Sequence, residues 1–504
     1  MRQNGTGGTP KRALAALAAA ALALLGTVAA ATPALAAPAL GGIDPDASGS
    51  IIVHKHEHQT GSDPVSQNPD GSGTAIPTPG IGGVEFTAFP LLKDGQPVDL
   101  SDPAAWDGLD GLQAGADCTA PAGYTLGTAL PAVTTAGDGS ATIPVDVGVY
   151  VVCETAAPDA VVDRAAPFIV TVPFPFEGQW LTDVHVYPKN GVTSVVKTIS
   201  AQQGLGLGSV VEFPVTVTIP ALAAGRSFSS FDIADQLDPR LTPVPAGSGA
   251  GVGVKSITVD GTPVAPANFS VSASGQTVTV AFTPTPGLAT LSTLAGKQVV
   301  VTFQATVTSI GTGVIENTAF DSVNGKRYTT NTVRSNWGDL VVEKVDATRD
   351  ATLAGARFEV YAAAAPYAAD CASATPTGAA LQVSGESTFT TGSDGRVTVP
   401  GLFVSDSEND TKNAAQRCYV LKEITAPAGY VTPTGAAALF PVAVTTGQTA
   451  GVDITVENVQ QRVPELPLTG SSGALLLSVA GGALLIAAAG TGILVSRRRT
   501  ARSE

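Results

Sequence analysis

Only 11 lysines occur in 504 residues, and two of them have an asparagine at nearly the same distance downstream. Lys344 lies in VVEKVD and Asn458 in ITVEN, 114 residues on; Lys197 lies in SVVKTI and Asn317 in VIENTA, 120 residues on. A neutral lysine amine held against an asparagine carboxamide can displace ammonia and leave an isopeptide bond. Burial supplies the conditions, because desolvation lowers a lysine pKa and raises that of a neighbouring carboxyl. A protonated carboxyl can then polarise the amide and shuttle protons. Each pair therefore needs an acid as third member, and for Lys197 the segment FDIADQL offers Asp232 and Asp235, on opposite faces of a strand. A single Lys or Asn is ordinarily a surface residue; the recurrence of the set in two segments carries the reading.

Such residues need strands to position them, and strand signals dominate the chain. VTVTI (215–219), TVTVAF (277–282), QVVVTFQATV (298–307) and RVTVP (396–400) alternate with β-branched residues. Asp94-Gly95, Asp138-Gly139, Asp260-Gly261, Asn324-Gly325 and Asp394-Gly395 supply turns. The expected fold class is all-β, three tandem immunoglobulin-like sandwiches. An internal comparison links the first and third. SIIVHKHE (50–57) matches DLVVEKVD (339–346), GVEFTAF (83–89) matches GARFEVY (355–361), and YVVCETAAP (150–158) matches YVLKEITAP (419–427), setting Lys55 opposite Lys344 and Glu154 opposite Glu423. Aligning DVHVYPKN with DITVENVQ puts Pro188 where Asn458 stands. The expectation is that the first domain forms no internal bond, with Lys55 to Asn190 the remote alternative.

The ends set the compartment. Residues 1–36 carry Lys11-Arg12, an Ala/Leu-rich run and Ala34-Leu35-Ala36, the pattern of a cleaved signal peptide. Near the other end LPLTG (466–470) precedes an apolar run at 473–495, long enough to span a bilayer, and a basic tail at 496–504 that holds the cytoplasmic side. The whole chain has a formal net charge of −15; without the two basic ends it is more acidic still, which argues against nucleic acid and anionic membranes as partners. Four cysteines in an exported chain should be paired. Of the three connectivities, Cys118 with Cys153 and Cys371 with Cys418 keeps each bridge inside one domain.

LPLTG followed by an apolar stretch and a basic tail resembles the sorting signal of Gram-positive surface proteins. In that family a sortase cysteine cleaves after the threonine, here Thr469, before Gly470, and passes the acyl group to an amine. VVEKVD, LAGARFEVY and YVLKEITAPAGY resemble, in order, the landmarks of collagen-adhesin B-type pilin domains, whose "E-box" acid is Glu423. IADQL resembles the acid strand of A-type domains, which selects Asp235. WLTDVHVYPKN resembles the pilin motif of sortase-assembled backbone pilins at Trp180, Val184, Val186, Tyr187, Pro188 and Lys189. The resemblance implies the shaft subunit of a covalent pilus supporting adhesion. A class C sortase would join Lys189 to Thr469 of the next copy, with cross-links Lys197–Asn317 and Lys344–Asn458 inside the domains.

The organisation that follows is a signal peptide at 1–36, domains at 37–190, 191–337 and 338–460, and a linker with the sorting signal at 461–470. The implied partners are identical subunits, the pilin-specific and a housekeeping sortase, minor pilins and peptidoglycan, with the host receptor open. A monomeric wall-anchored adhesin leaves the pilin motif idle, a basal pilin need not have both lysine and threonine, and an enzyme has no catalytic domain in the remaining length. No cofactor is expected. His54, His56 and His58 share a strand face with spacing that could hold a metal, but with no fourth ligand evident they read as a polar face.

Overall fold

The structure is a computed structural model describing residues 42–60, 65–247, 249–409 and 411–462. The signal peptide, the LPLTG pentapeptide, the apolar run and the basic tail lie outside the described residues. Strands dominate, and the alternation in the sequence is what buries them. In Val210–Thr218 the side chains of Val211, Phe213, Val215 and Val217 point into a core while their neighbours face outward. Three of the turn pairs have both residues left-handed, as type I′ hairpins require: Asp94-Gly95, Asp260-Gly261 and Asn324-Gly325.

In the first sandwich, Ser48–His54 lies between Asp183–Val186, to which it is parallel, and Ser140–Asp146, to which it is antiparallel. The facing sheet contains Phe168–Val172, Gly148–Ala156 and Glu85–Lys93. Ile51, Val53, Phe86, Val152 and Val184 fill the space between them. The third sandwich repeats this plan. Ile454–Asn458 runs parallel to the end of Val333–Asp346, and Arg357–Ala363 and Gln416–Thr425 form the facing sheet. The middle sandwich differs: its first strand, Val195–Lys197, lies at a sheet edge beside Val210–Thr218, while Phe231–Gln236 and Val314–Val323 pair in the opposite sheet. Each outer domain carries one disulfide, Cys118–Cys153 and Cys371–Cys418, the connectivity expected.

The sequence-based border at 337/338 falls inside one continuous strand, Val333–Asp346. Its first half pairs with Val314–Val323 of the middle domain and its second half with Ile454–Asn458 of the third. Trp337 sits at the crossing, fully buried, edge-on to Phe403 at 5.3 Å and donating its indole N–H to Ser335 at 3.1 Å. Leu205 and Leu207 pack against both neighbouring cores. Trp337→Ala should therefore cost about 3–5 kcal/mol, and scanning calorimetry should show the transitions of both adjoining domains lowered together.

The first and middle domains meet through polar contacts. Asp163 accepts from Ala223 N at 2.8 Å and pairs with Arg226 at 2.8 Å, while Lys326 Nζ donates to Asp159 O at 2.9 Å. Behind them Asp321 is fully buried; one oxygen has no partner among the described residues, and the other lies 3.5 Å from the Thr193 hydroxyl. Burial pushes its pKa up to about 7. A carboxyl raised in this way holds its proton more tightly folded than unfolded. Its contribution to stability is thus full below the unfolded value near 4 and is lost as pH rises through about 7. Asp321→Asn should raise the melting temperature at about pH 8, by the equivalent of at most about 4 kcal/mol, with the gain shrinking toward pH 4. A gain that does not change with pH would contradict this origin.

Candidate functional site

Three buried clusters, one in each domain, hold the lysines in apolar surroundings. In the middle domain, Lys197 comes from one sheet and stands over the rings of Phe213 and Phe303, at 4.9 and 5.9 Å from their centroids. Its Nζ contacts Asp235 Oδ2 at 2.7 Å, and the same oxygen accepts from Asn317 Nδ2 at 3.2 Å. Asp235 and Asn317 come from adjacent strands of the opposite sheet. All three side chains are buried, and the Asn317 carbonyl oxygen has no hydrogen-bond partner among the described residues. Asp232, the other acid of the sequence reading, is only partly buried. Desolvation lowers the Lys197 pKa and raises that of Asp235, so a proton can pass from amine to carboxyl.

In the third domain Lys344 and Asn458 lie on neighbouring parallel strands and Glu423 projects from the facing sheet. Lys344 Nζ is 3.3 Å from Glu423 Oε2 and donates to Val456 O at 3.1 Å. Asn458 Nδ2 donates to Val431 O at 2.8 Å, leaving its carbonyl oxygen without a partner among the described residues. Burial shifts this pair in the same directions, Lys344 down and Glu423 up.

The first domain corrects the alignment that put Pro188 in the place of Asn458. Val53 pairs with Val186, and Glu57 with Asn190. Asn190 is thus opposite the residue two beyond Lys55, as Asn458 is opposite Asp346, two beyond Lys344. Pro188 corresponds to Val456. A slip of two residues keeps every side chain on its own face, so both registers fit the same alternation. Anchoring the comparison on the asparagines, VYPKN over ITVEN, would have found the register. Asn190 is fully buried; its carbonyl oxygen accepts from Lys55 Nζ and from Ala165 N, the latter at 2.7 Å, and its amide nitrogen donates to Glu154 at 2.8 Å. Lys55 Nζ also reaches Glu154 at 2.8 Å, and burial holds its pKa down to about 8. Two donors on one carbonyl oxygen polarise it toward attack.

Lys189, next to Asn190, points to the opposite face of the same strand. Its amine has no hydrogen bond or ion pair among the described residues, and partial burial lowers its pKa. The rest of the motif around it is structural. Trp180 packs on Trp106 at 5.3 Å, Val184 is in the core, and Tyr187 stacks on His54 at 4.9 Å. The histidine stripe does not converge on one point. His54 shares a 2.8 Å hydrogen bond with His185, His56 contacts Thr78 O at 2.9 Å, and His58 lies 3.9 Å from Asp163. Among the described residues no group of three or more His, Cys, Asp or Glu is placed to hold a metal.

Comparisons with known proteins match the chain domain by domain. Residues 46–191 match the family model of the Gram-positive pilin subunit D1, N-terminal domain, and residues 199–337 that of the cell surface antigen I/II C2 terminal domain. A prealbumin-like fold domain matches 338–458, and the LPXTG cell wall anchor motif matches 458–501. Fimbrial subunit type 2 of Actinomyces naeslundii is 37% identical, covering 87% of this chain and 88% of that one. Fimbrial subunit type 1 of Actinomyces viscosus is 29% identical over 92% of this chain and 94% of its own. The full-length major pilin SpaD of Corynebacterium diphtheriae superposes with a TM-score of 0.66 at 26% identity, covering 84% of this chain and all of that structure. The chain belongs to the Gram-positive fimbrial subunits: it is a non-enzymatic, exported, wall-anchored component of a sortase-assembled pilus shaft.

Proposed function

We propose that the shaft is built by one bond between subunits and stiffened by three within each. For the bond between subunits, Lys189 Nζ attacks the acyl-sortase thioester at the Thr469 carbonyl of a neighbouring copy. The cysteine thiolate leaves, the amine proton passes to the sortase, and an amide joins the chains. The observation that carries this reading is the free, partly desolvated Lys189 amine, outward-facing on a strand whose next residue is locked into the core. Unlike surfaces joined head to tail make an open filament and not a closed ring. Thr469 and the other sorting-signal residues, Leu466, Pro467, Leu468 and Gly470, enter on sequence alone.

Within the domains the pairs are Lys197–Asn317 assisted by Asp235, Lys344–Asn458 assisted by Glu423, and Lys55–Asn190 assisted by Glu154. In each, the neutral amine adds to the carboxamide carbon, the carboxyl relays protons to the departing nitrogen, and ammonia leaves. Closing loops of this length removes about 4–5 kcal/mol of denatured-state entropy per bond, by analogy with disulfides. In the outer domains the linked strands are parallel neighbours, so the bond ties the first strand of the sandwich to its last.

Two measurements test these bonds. Expressed with its pilin sortase, the wild-type chain should give a high-mass ladder on a denaturing gel and Lys189→Ala should give none; a ladder that survives the substitution removes Lys189 from the linkage. Intact-mass analysis should show about 17 Da lost per internal bond, as ammonia, beyond the hydrogens lost to the two disulfides. Asn190→Ala, Asn317→Ala and Asn458→Ala should each abolish one such loss and leave the other two. An Asn190→Ala chain with as many losses as wild type would remove the first-domain bond alone.

A further inference from the structure

The three buried lysines are aimed by their backbones, and those backbones are held in different ways. Lys55 donates its N–H to Gly139 O at 2.8 Å and accepts at its carbonyl from Ile81 N at 2.9 Å; Lys344 donates to Gly395 O and accepts from Leu353 N, both at 2.8 Å. In the outer domains, main-chain groups therefore fix the residue that carries the amine. Lys197 has no such neighbour. Its strand, Val195–Lys197, is the edge of its sheet and pairs on one side only, with Val210–Thr218. The flanking bonds, Thr218 N to Ser194 O and Thr198 N to Pro214 O, both 2.9 Å, set the antiparallel alternation, which turns the N–H and C=O of Lys197 toward the open side.

One side chain takes both groups. Asn331 Oδ1 accepts from Lys197 N at 2.9 Å, and Asn331 Nδ2 donates to Lys197 O at 2.9 Å, the pair of bonds that a neighbouring strand would make. Asn331 is tied in turn to the other two reactive residues. The residue before it, Thr330, donates its N–H to Ala319 O at 2.9 Å, and the Thr330 hydroxyl accepts from Ala319 N at 3.0 Å. Ala319 stands opposite Asp235 in the ladder and lies two residues beyond Asn317 on the same strand. Asn317 itself stands opposite Val333, two residues beyond Asn331. A path of paired hydrogen bonds thus runs from the strands of the acid and the asparagine, across to the other sheet, and ends on the backbone of the lysine. Asn331 lies in the exposed connection between Lys326–Thr329 and Val333–Asp346.

We propose that Asn331 is the positioning residue of the middle-domain cross-link: its amide stands in for the missing strand and holds Lys197 so that the amine meets the Asn317 carboxamide. The inference rests on the Lys197–Asn317 bond and deepens it. Asn331 touches no reacting atom and acts through the backbone of Lys197. A three-residue edge strand whose outer groups are released is free to shift, and a misplacement of about 1 Å at the reacting atoms costs up to about a hundredfold in rate. The asparagine amide offers one acceptor and a donor side by side, as a peptide group does; alanine offers neither.

The test is the rate of one bond in a folded chain. Full-length chains are collected at intervals after a translation pulse and digested, and the Lys197–Asn317 linked peptide is quantified by mass spectrometry as a fraction of all Asn317-containing peptide. Absence of that linked peptide from wild type overturns the bond, and the role of Asn331 with it. With the bond established, Asn331→Ala should slow its appearance at least about tenfold. An Asn331→Ala chain that links Lys197 at the wild-type rate overturns the positioning role and leaves the bond standing. A loss of fold is separated in the unlinked background, where Asn317→Ala chains with and without Asn331→Ala should both melt well above the temperature of the rate measurement. A double variant unfolded at that temperature would make the slowing a loss of fold and overturn the positioning role. Thr332→Ala, which removes the exposed hydroxyl contact to Thr318 in the same connection, should link at the wild-type rate; slowing equal to that of Asn331→Ala would assign the effect to the connection as a whole and overturn the particular role of Asn331.

Discussion

The constraint on which this molecule depends is the cost of keeping an ammonium and a carboxylate inside an apolar core. Lys55, Lys197 and Lys344 are among its largest fully buried side chains. A buried ion pair repays its desolvation only with very good geometry. Each cluster has an asparagine within reach, and two of the three asparagine carbonyl oxygens have no partner among the described residues. That set of groups is poor as a permanent ion pair and good as a reactant state. Conversion to an amide removes the charge on the lysine, leaves the acid neutral, and ends the desolvation cost that drives the proton transfer. The strand arrangement follows from this need. Lysine and asparagine must sit on elements far apart in sequence and close in space, with the acid on a second strand of the wall.

Two solutions coexist in one chain. In the outer domains, lysine and asparagine occupy neighbouring parallel strands, and the acid reaches them from the facing sheet. In the middle domain the acid and asparagine are neighbours, and the lysine crosses the core to them. The connections between domains are unlike as well. One continuous strand and a shared buried tryptophan join the middle and third domains, whereas hydrogen bonds and ion pairs around Asp163 and Lys326 join the first and middle ones. The first junction is the more polar one and is the one next to Lys189.

Much of this was legible in the sequence because strand chemistry is local. Alternation located the strands, and Asp-Gly and Asn-Gly pairs located the hairpins. The three-residue spacing of Asp232 and Asp235 forced a choice of face, and the A-type resemblance chose the residue that the structure buries. What failed was register. A two-residue slip preserves the inward face, so alternation could not distinguish Pro188 from Asn190 as the counterpart of Asn458; the ladder of hydrogen bonds to His56 and Glu57 does so. The junction was not legible at all. Asp163 and Arg226 are 63 residues apart in different domains, no repeat links them, and nothing in either local pattern marks a partner. Asp321 was also invisible, because its burial arises from packing between elements and not from its own strand.

Lys189 and Asn190 show why register matters to function. They are consecutive, so their Cα atoms are 3.8 Å apart, and strand geometry turns their side chains to opposite faces. A bond from Asn190 to Lys55 would fix the backbone at the residue adjoining the bond between subunits. Load entering at the Lys189 amide would then pass within one residue to the first strand of the same domain, without peeling Lys189–Val192 from its two-residue pairing with His56–Glu57. That parallel ladder is only two residue pairs long. It is also where the sequence spends its proline, its buried lysine and an asparagine with all its polar atoms engaged. An inner bond at Asn190 would therefore reinforce an outer one at Lys189, because a load carried by Lys189 is held no more firmly than its neighbour Asn190.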